Sequence, residues 1–349
     1  MKAIKMTGPG KAEIQEVPIP ALRDDYILAK VKAVALNPTD WKHIYYISTP
    51  GCTVGCDFAG VVEEVGPNVT KGWKKGDRIA AFTHGGNKVQ TEDGCFAEYA
   101  VAKGDLWAKI PDDMSITSAA SLGVGITTVG QSMYQALGLP FPESGTRANH
   151  PFLVYGGSSA TGTLAIQFAR LSGCSPIVTT CSPQNFNMVK ALGADAAFDY
   201  KDPDVVKKIR EYTNDSLTLA LDCISSKESA EITSQAIGSK GGEVCFLLGG
   251  CETGREDVKG MATLGYTVMG EDFTFGLSGM SEFLAKVEDL EFGKKFWALA
   301  ERLLAEGKVK PHPVEVGSGG LAGVFDGLQA MREGRVSGKK LVYVVDETN

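Results

Sequence analysis

The chain is 349 residues long, 43% hydrophobic and 22% charged, with a formal net charge of −7. That length exceeds what one core usually serves, so two domains are expected. The acidic balance without basic runs argues against nucleic acid as a partner, and every apolar stretch falls short of the roughly 20 residues that span a bilayer. The eight cysteines, at positions 52, 56, 95, 174, 181, 223, 245 and 251, are scattered, several inside apolar strand-like runs. They read as free core thiols of a reducing compartment. With no apolar signal-peptide core near Met1, a cytoplasmic location is expected.

In chain order, alternating apolar and polar residues predict strands at Lys2 to Met6, Tyr26 to Ala35, Gly60 to Val65, Arg78 to Phe82 and Cys95 to Val101. Gly-Pro, Pro-Asn and Gly-Asp turns separate them, the pattern of an irregular β domain. The short apolar run Phe152 to Tyr155 then ends in two glycines. Five residues beyond Gly157, Gly162 opens a segment with apolar positions at Leu164, Ile166, Phe168, Ala169 and Leu171. This is a buried parallel strand, a tight turn and an amphipathic helix, the opening of a dinucleotide-binding unit. Further strands at Ile177 to Cys181, Thr218 to Cys223 and Glu243 to Leu248 alternate with helical patterns at Asp204 to Tyr212 and Lys227 to Ile237, as in a doubly wound parallel sheet. A helix is predicted from Trp297 to Glu306. The strands Val309 to Val316 and Lys340 to Val345 are expected to return to the first domain. The division is therefore placed at 1–125 with 305–349, around a nucleotide domain at 126–304.

Gly157 and Gly162 hold the first and third places of the G-x-G-x-x-G fingerprint, but Ser159 stands in the second. Such a degenerate motif alone also describes many tight turns. At the end of the next strand, where NAD-binding folds carry an acidic residue for the ribose 2′-hydroxyl, the chain has Ser182, followed by Pro183, Gln184 and Asn185. No carboxylate is present there to repel a 2′-phosphate. Ser182, Asn185 and Tyr200 are donors for one, so NADPH is favoured over NADH; the alternative is that Ser182-Pro183 only caps the next helix.

Asn37-Pro-Thr-Asp-Trp-Lys42, Gly55-Cys-Asp-Phe-Ala-Gly-Val-Val-Glu-Glu-Val-Gly66, Lys75-Gly-Asp-Arg-Ile79, Gly94-Cys-Phe-Ala-Glu-Tyr99 and Ala191-Leu-Gly-Ala-Asp195 resemble the medium-chain dehydrogenases and reductases over essentially the whole chain. The resemblance implies an α/β protein with a GroES-like irregular β domain plus a Rossmann doubly wound parallel-sheet domain. Zinc alcohol dehydrogenases of that family carry Cys at Asn37 and His-Glu at Cys56-Asp57, so the catalytic metal lacks ligands here and no metal is expected. The chain looks like the zinc-independent reductase branch. Within it, Thr180-Cys-Ser-Pro-Gln-Asn-Phe186, Ser158-Ser-Ala-Thr161 and Leu221-Asp-Cys-Ile224 are similar to fungal trans-acting enoyl reductases, which serve highly reducing polyketide synthases. That implies hydride transfer from NADPH to an α,β-unsaturated acyl chain on the carrier domain of a synthase, by a monomer or homodimer.

Residue by residue, the resemblance puts Thr39, Asp40, Trp41 and Lys42 near the nicotinamide ribose. It puts Ser158, Ser159, Ala160, Thr161, Ser182, Pro183, Gln184, Asn185 and Tyr200 on the phosphates and adenosine, and Leu247, Leu248, Ser337 and Gly338 towards the nicotinamide. Ile126, Thr127, Thr128, Val129, Gly130, Gln131, Ser132 and Met133, with Gly270, Glu271, Asp272, Phe273 and Thr274, would line the acyl channel. Lys42 is the expected catalytic cation against an enolate oxygen, or else a solvated surface lysine. Thr128 is a second catalytic candidate; the alternative is a helix N-cap at Thr127 or Thr128. Tyr45 and Tyr46 are read as aromatic packing, His43 as an ordinary polar neighbour and His312 as part of a surface turn. A quinone or free-alkenal reductase, and a catalytically idle binding protein of the same fold, are the competing functions.

Overall fold

The computed structural model describes residues 1–47, 50–275 and 281–348. It divides into two compact units, one formed by Met1–Thr127 with the chain from Tyr266 onward, the other by Thr128–Gly265. Residues 266–304, expected in the nucleotide domain, therefore belong to the first unit. The long helix Val287–Ala305 supplies the reason. Its Trp297 is wholly buried, edge-on to Trp107 with ring centroids 5.3 Å apart, and its indole Nε1 donates to Thr127 Oγ1 at 3.1 Å. Its first turn begins ten residues before the expected start, because Glu288 and Asp289 favour a helix N-terminus and hide the apolar stripe from view.

In the first unit, strands run in the order Val314–Gly317, Lys340–Val344, Tyr26–Ala35, Asp57–Val65, Arg78–Phe82 and Ala108–Lys109, with Tyr99–Lys103 also paired to Tyr26–Ala35. The C-terminal strand is antiparallel to Tyr26–Ala35, with Val344 opposite Ala33 and Val342 opposite Ala35. The C-terminal strands thus join the sheet of the first unit, as the sequence predicts, while Lys2–Gly8 and Lys11–Glu16 pair in a separate two-stranded sheet. Tyr26–Ala35 is buried along almost its whole length, which explains its Ala- and Val-rich composition. His312, expected at the surface, is buried.

The second unit is a six-stranded parallel sheet in the order Ala196–Phe198, Ile177–Thr180, Phe152–Tyr155, Leu219–Asp222, Gly242–Phe246, Val258–Ala262. Leu153, Val178, Ile209, Ala220, Val244 and Phe246 close a core under it with helices Val205–Tyr212 and Lys227–Ala236. Each of the larger side chains among them, from valine to phenylalanine, contributes about 1.5–3 kcal/mol. Chain order reverses between Phe152–Tyr155 and Leu219–Asp222, and ligands of open parallel sheets bind past the strand ends at such a switch point. No disulfide joins the eight cysteines, and no helix among the described residues is long and apolar enough to cross a membrane.

Candidate functional site

The nucleotide turn follows Phe152–Tyr155. Gly156 takes φ +79°, and the amides of Gly156 and Gly157 both donate to the Thr180 carbonyl, at 3.1 and 3.0 Å. A Cβ on Gly162 would lie 2.3 Å from the Gly156 carbonyl oxygen and 2.7 Å from Gly157 Cα, so only glycine lets helix Ala160–Leu171 sit this close to the turn. Ser159 replaces a glycine without strain because its backbone is extended (φ −75°, ψ 164°). It is the helix N-cap, and its Oγ accepts the Gly162 amide at 3.0 Å. The first-turn amides of Ala160 and Thr161 have no intrahelical acceptor and are placed for an anion such as a pyrophosphate. The close packing that Gly162 secures is the feature a dinucleotide turn requires, so the residues present fit a nicotinamide dinucleotide.

Ser158 is half-buried in the turn. Ser182 follows Ile177–Thr180 and opens the single turn Pro183–Asn185, but its hydroxyl makes no capping bond. Pro183 and Gln184 are exposed. Tyr200 follows Ala196–Phe198, its ring 6.4 Å from that of Tyr155 and 5.8 Å from Lys201 Nζ. These groups therefore follow the C-terminal ends of three adjacent strands. Beside them lies an arrangement the motifs did not reveal. Buried Asp222 accepts the Ile224 and Ser225 amides (2.8 and 2.9 Å) and the Ser229 hydroxyl (2.6 Å), while burial lifts its pKa. Ser225, at φ +57°, accepts the amides of Leu247 and Leu248 at 2.8 and 3.3 Å. The loop carrying those two leucines is thereby tied to the switch point. Thr128 is half-buried inside helix Gly123–Val129 rather than at its start, and its carbonyl accepts Ser132 Oγ at 2.7 Å. Val129, Gly130, Gln131, Ser132 and Met133 are buried, as are Ile126 and Thr127 of the first unit, where Thr127 serves Trp297.

In the first unit, Asn37 caps the short helix Pro38–Lys42, with proline at the first helical position and the Asn37 amide donating to Asp40 Oδ2 at 2.6 Å. Lys42 is half-buried, its Nζ 5.8 Å from the Trp41 ring, and burial alone lowers its pKa. No carboxylate among the described residues pairs with it, unlike a solvated surface lysine with a counter-ion. Asp40 is almost wholly buried; desolvation first, opposed by the Asn37 amide, carries it up to about 7. The following residues matter more than sequence suggested. The His43 ring nitrogen Nδ1 lies 2.8 Å from the Thr39 carbonyl and 3.1 Å from Thr39 Oγ1, which is 2.9 Å from the Tyr266 hydroxyl. The Tyr266 hydroxyl is 3.5 Å from Cys56 Sγ, and its ring stacks on His84 at 3.9 Å. Burial holds His43 down at about 4 and His84 well below the usual imidazole range, so both are neutral, while the Cys56 thiol is pushed well up. The i, i+4 spacing of Thr39 and His43 on a helix was the one available signal; nothing in the sequence pointed to Tyr266.

Glu271 is engaged by the Tyr26 hydroxyl and Lys103 Nζ, both at 2.7 Å, and Asp272 accepts the Ala285 amide at 2.6 Å. Gly270 precedes them in a turn, and Phe273 and Thr274 belong to a hairpin with Ser281–Phe283. Phe273 stacks on Phe283 at 4.7 Å, and Phe275 lies 5.7 Å from both Tyr266 and His43, an aromatic wall beside the Thr39 cluster. Ser337 is exposed and Gly338 has φ +67°, just before the strand that brings in Lys340. Tyr45 packs under the Arg332 guanidinium at 4.3 Å, whereas Tyr46 is exposed.

A zinc ion does not fit this unit. The residues at the ligand positions of the zinc enzymes are already committed: Asp57 Oδ2 accepts Asn37 Nδ2 at 2.9 Å and Lys340 Nζ, and Lys340 also donates to Asn37 Oδ1 at 2.9 Å. A fixed ammonium repels a dication, one protonated thiol remains, and the described residues contain no group of three metal-binding side chains.

The family model of the alcohol dehydrogenase GroES-like domain matches residues 23–112, and that of zinc-binding dehydrogenases matches 160–273. The chain is 48% identical to the trans-enoyl reductase ACTTS2 of Alternaria alternata across 99% of both chains. It is 47% identical to the trans-enoyl reductase resD of Aspergillus sclerotiorum, across 99% of this chain and 100% of that one. Among solved structures, an alcohol dehydrogenase superfamily protein from Novosphingobium aromaticivorans superposes with a TM-score of 0.81 at 20% identity over 99% of both chains. The CurK enoyl reductase superposes at 0.74 with 16% identity over 98% of both, a likeness of fold. By sequence along its whole length, the chain belongs to the trans-enoyl reductase family of the medium-chain dehydrogenases and reductases.

Proposed function

We propose that this protein is an NADPH-dependent enoyl reductase that acts in trans on the α,β-unsaturated thioester of an acyl chain carried by a polyketide synthase. The observation that carries the reading is the near-complete match to trans-enoyl reductases at 48% identity. A nicotinamide dinucleotide, when bound, supplies the hydride for the β carbon. Ala160 and Thr161 amides are the groups for its pyrophosphate, and Ser158 and Ser159 shape the turn. Ser182, with its uncommitted hydroxyl, is the group for a 2′-phosphate, together with Asn185 and Tyr200. That chemistry favours NADPH over NADH, since the turn offers donors and no carboxylate.

As the β carbon gains hydride, the alkene π pair moves towards the thioester oxygen and negative charge develops there. Lys42, a half-buried cation without a counter-ion among the described residues, is suited to stabilise that oxygen, and such preorganised charge is commonly the largest catalytic contribution. Thr128 is a neutral donor for the nicotinamide or substrate end. Phe273, Phe275 and Phe283, on the paired strands Phe273–Phe275 and Ser281–Phe283, offer an apolar surface to the chain. The test is oxidation of NADPH and NADH by the purified protein with a crotonyl thioester, the same acyl group on a carrier domain, a quinone, and no acceptor. Carrier-bound enoyl substrate with NADPH is expected to be fastest, because remote binding positions the alkene. Lys42→Ala is expected to lower kcat by about 10²–10³, far more than it raises the NADPH Kd. Turnover of quinones alone would overturn the reading.

A further inference from the structure

The reduction also needs a proton at the α carbon, and Lys42, assigned to the oxygen, does not account for it. The first unit contains a chain of hydrogen bonds whose direction is set by chemistry. The Thr39 carbonyl only accepts, so His43 Nδ1, 2.8 Å away, carries the hydrogen and shares it with Thr39 Oγ1 at 3.1 Å. Thr39 Oγ1, supplied from that side, then donates to the Tyr266 oxygen at 2.9 Å. Among the described residues, the Tyr266 hydrogen is left facing only the sulfur of Cys56 at 3.5 Å, a weak acceptor. At the other end, His43 Nε2 is buried with no partner among the described residues, and so is His84 Nε2 on the ring stacked against Tyr266. A buried polar atom left unsatisfied calls for an explanation, and a water or ligand that visits it is one.

We infer that Tyr266 is the proton donor to the α carbon and that Thr39 and His43 resupply it. This rests on the enoyl reductase reading above. Hydride adds to the β carbon, the π pair becomes an enolate, and the Tyr266 O–H bond breaks as the α C–H bond forms and the carbonyl returns. The tyrosinate recovers a proton from Thr39 Oγ1, Thr39 from His43 Nδ1, and His43 Nε2 takes one from water; loss of the Nε2 hydrogen to solvent and return of one to Nδ1 then restores the starting tautomer before the next turnover. The balance is one hydride and one solvent proton per turnover, and no charge remains on the chain. Tyr266 and Thr39 are the reacting hydroxyls, and His84 is a positioning residue that fixes the ring by stacking.

The experiment uses the full chain, NADPH and a 2-methyl enoyl thioester in D₂O, so that the α carbon becomes a stereocentre. The wild type is expected to deliver deuterium to one face. Tyr266→Phe keeps the ring and its stacking but removes the proton; kcat is expected to fall about 10²-fold, with both α configurations formed and NADPH binding retained. Thr39→Val, which leaves the Tyr266 hydroxyl but interrupts resupply, is expected to raise the solvent isotope effect while keeping one configuration. If Tyr266→Phe folds, as judged by its thermal transition and NADPH binding, and still gives one α configuration, the inference is overturned whatever happens to kcat. Should Tyr266→Phe not fold, a solvent isotope effect unchanged in Thr39→Val overturns it instead, and a raised one supports it. A wild type that reduces no enoyl thioester fails the functional reading first, and is recognised before any variant is made.

Discussion

Replacing Lys340 by methionine tests whether an ammonium does the structural work at the Asn37–Asp57 site. Asp57 is wholly buried and gathers three segments: Asn37 Nδ2 at 2.9 Å, the Val124 amide at 2.6 Å, and Lys340 Nζ. Methionine keeps the volume and removes the charge, so Asp57 is left with two neutral donors and Asn37 Oδ1 loses its donor. Breaking one partner of a buried ion pair typically costs 3–5 kcal/mol, much of it the cost of an uncompensated buried charge. For a unit of roughly 200 residues, each kcal/mol moves Tm by about 2–4 °C, so a fall of about 6–20 °C is expected. The measurement is thermal unfolding followed by circular dichroism, with and without added zinc and EDTA. The double variant Asp57→Asn with Lys340→Met, which removes both charges, should recover most of the loss. A single variant that melts within about 2 °C of the wild type would show that the pair stabilises nothing, and rescue of that variant by zinc would refute the incompatibility with metal.

Ser182→Asp places a carboxylate where a 2′-phosphate is proposed; NADPH affinity should fall by roughly 1–3 kcal/mol while NADH affinity holds or rises, as titration calorimetry would report. Gly162→Ala drives a methyl group to within 2.3 Å of the Gly156 carbonyl oxygen. The expected overpacking penalty is about 1–3 kcal/mol, with weakened binding of either dinucleotide, and an unchanged Kd would contradict the seating of the turn. Asp40 carries a folded pKa of about 7 against 3.8 when unfolded. Between those values the folded state holds the proton and the unfolded state does not, so this group makes stability fall as pH rises, by about 1.4 kcal/mol per unit. Asp40→Asn should therefore melt higher than the wild type at pH 8 and lose that slope between pH 5 and 7, in parallel melts across that range.

The α/β core was legible because its signals are local. Phe152–Tyr155 and Ile177–Thr180 are short apolar runs with glycine or serine at their ends, and each strand appears within a residue of its expected limits. The nucleotide turn followed from the spacing of Gly157 and Gly162. The helix Val287–Ala305 was half seen, since its acidic first turn looks like a loop until Trp297 finds Trp107, some 190 residues away. The local geometry of the candidate site was legible where it lies on one motif, as for the capped helix Pro38–Lys42 and the turn that opens at Ser182, whose roles remain proposals. It was not legible where it depends on partners distant in sequence. Thr39 and Tyr266 are 227 residues apart, and Asn37 and Lys340 are 303 apart. His43 looked ordinary because nothing within the sequence says that its ring is desolvated. The alternative cap role for Thr127 or Thr128 did not appear either, as helix Gly123–Val129 starts earlier and continues directly into the wider turns of Gly130–Ala136.

The separation of 283 residues from Asp57 to Lys340 also has a meaning in time. Chains are synthesised at about 5–20 residues per second, so Asp57 leaves the ribosome roughly 15–60 s before its counter-ion exists. During that interval the N-terminal strands cannot bury the carboxylate without a large cost. Thr128–Gly265, which has a core cluster from Leu153 to Val258 within its own stretch of chain, is free to fold meanwhile. The first unit is then completed from both ends, and truncation before Lys340 should leave nascent chains in which the middle is protected from protease and the beginning is not.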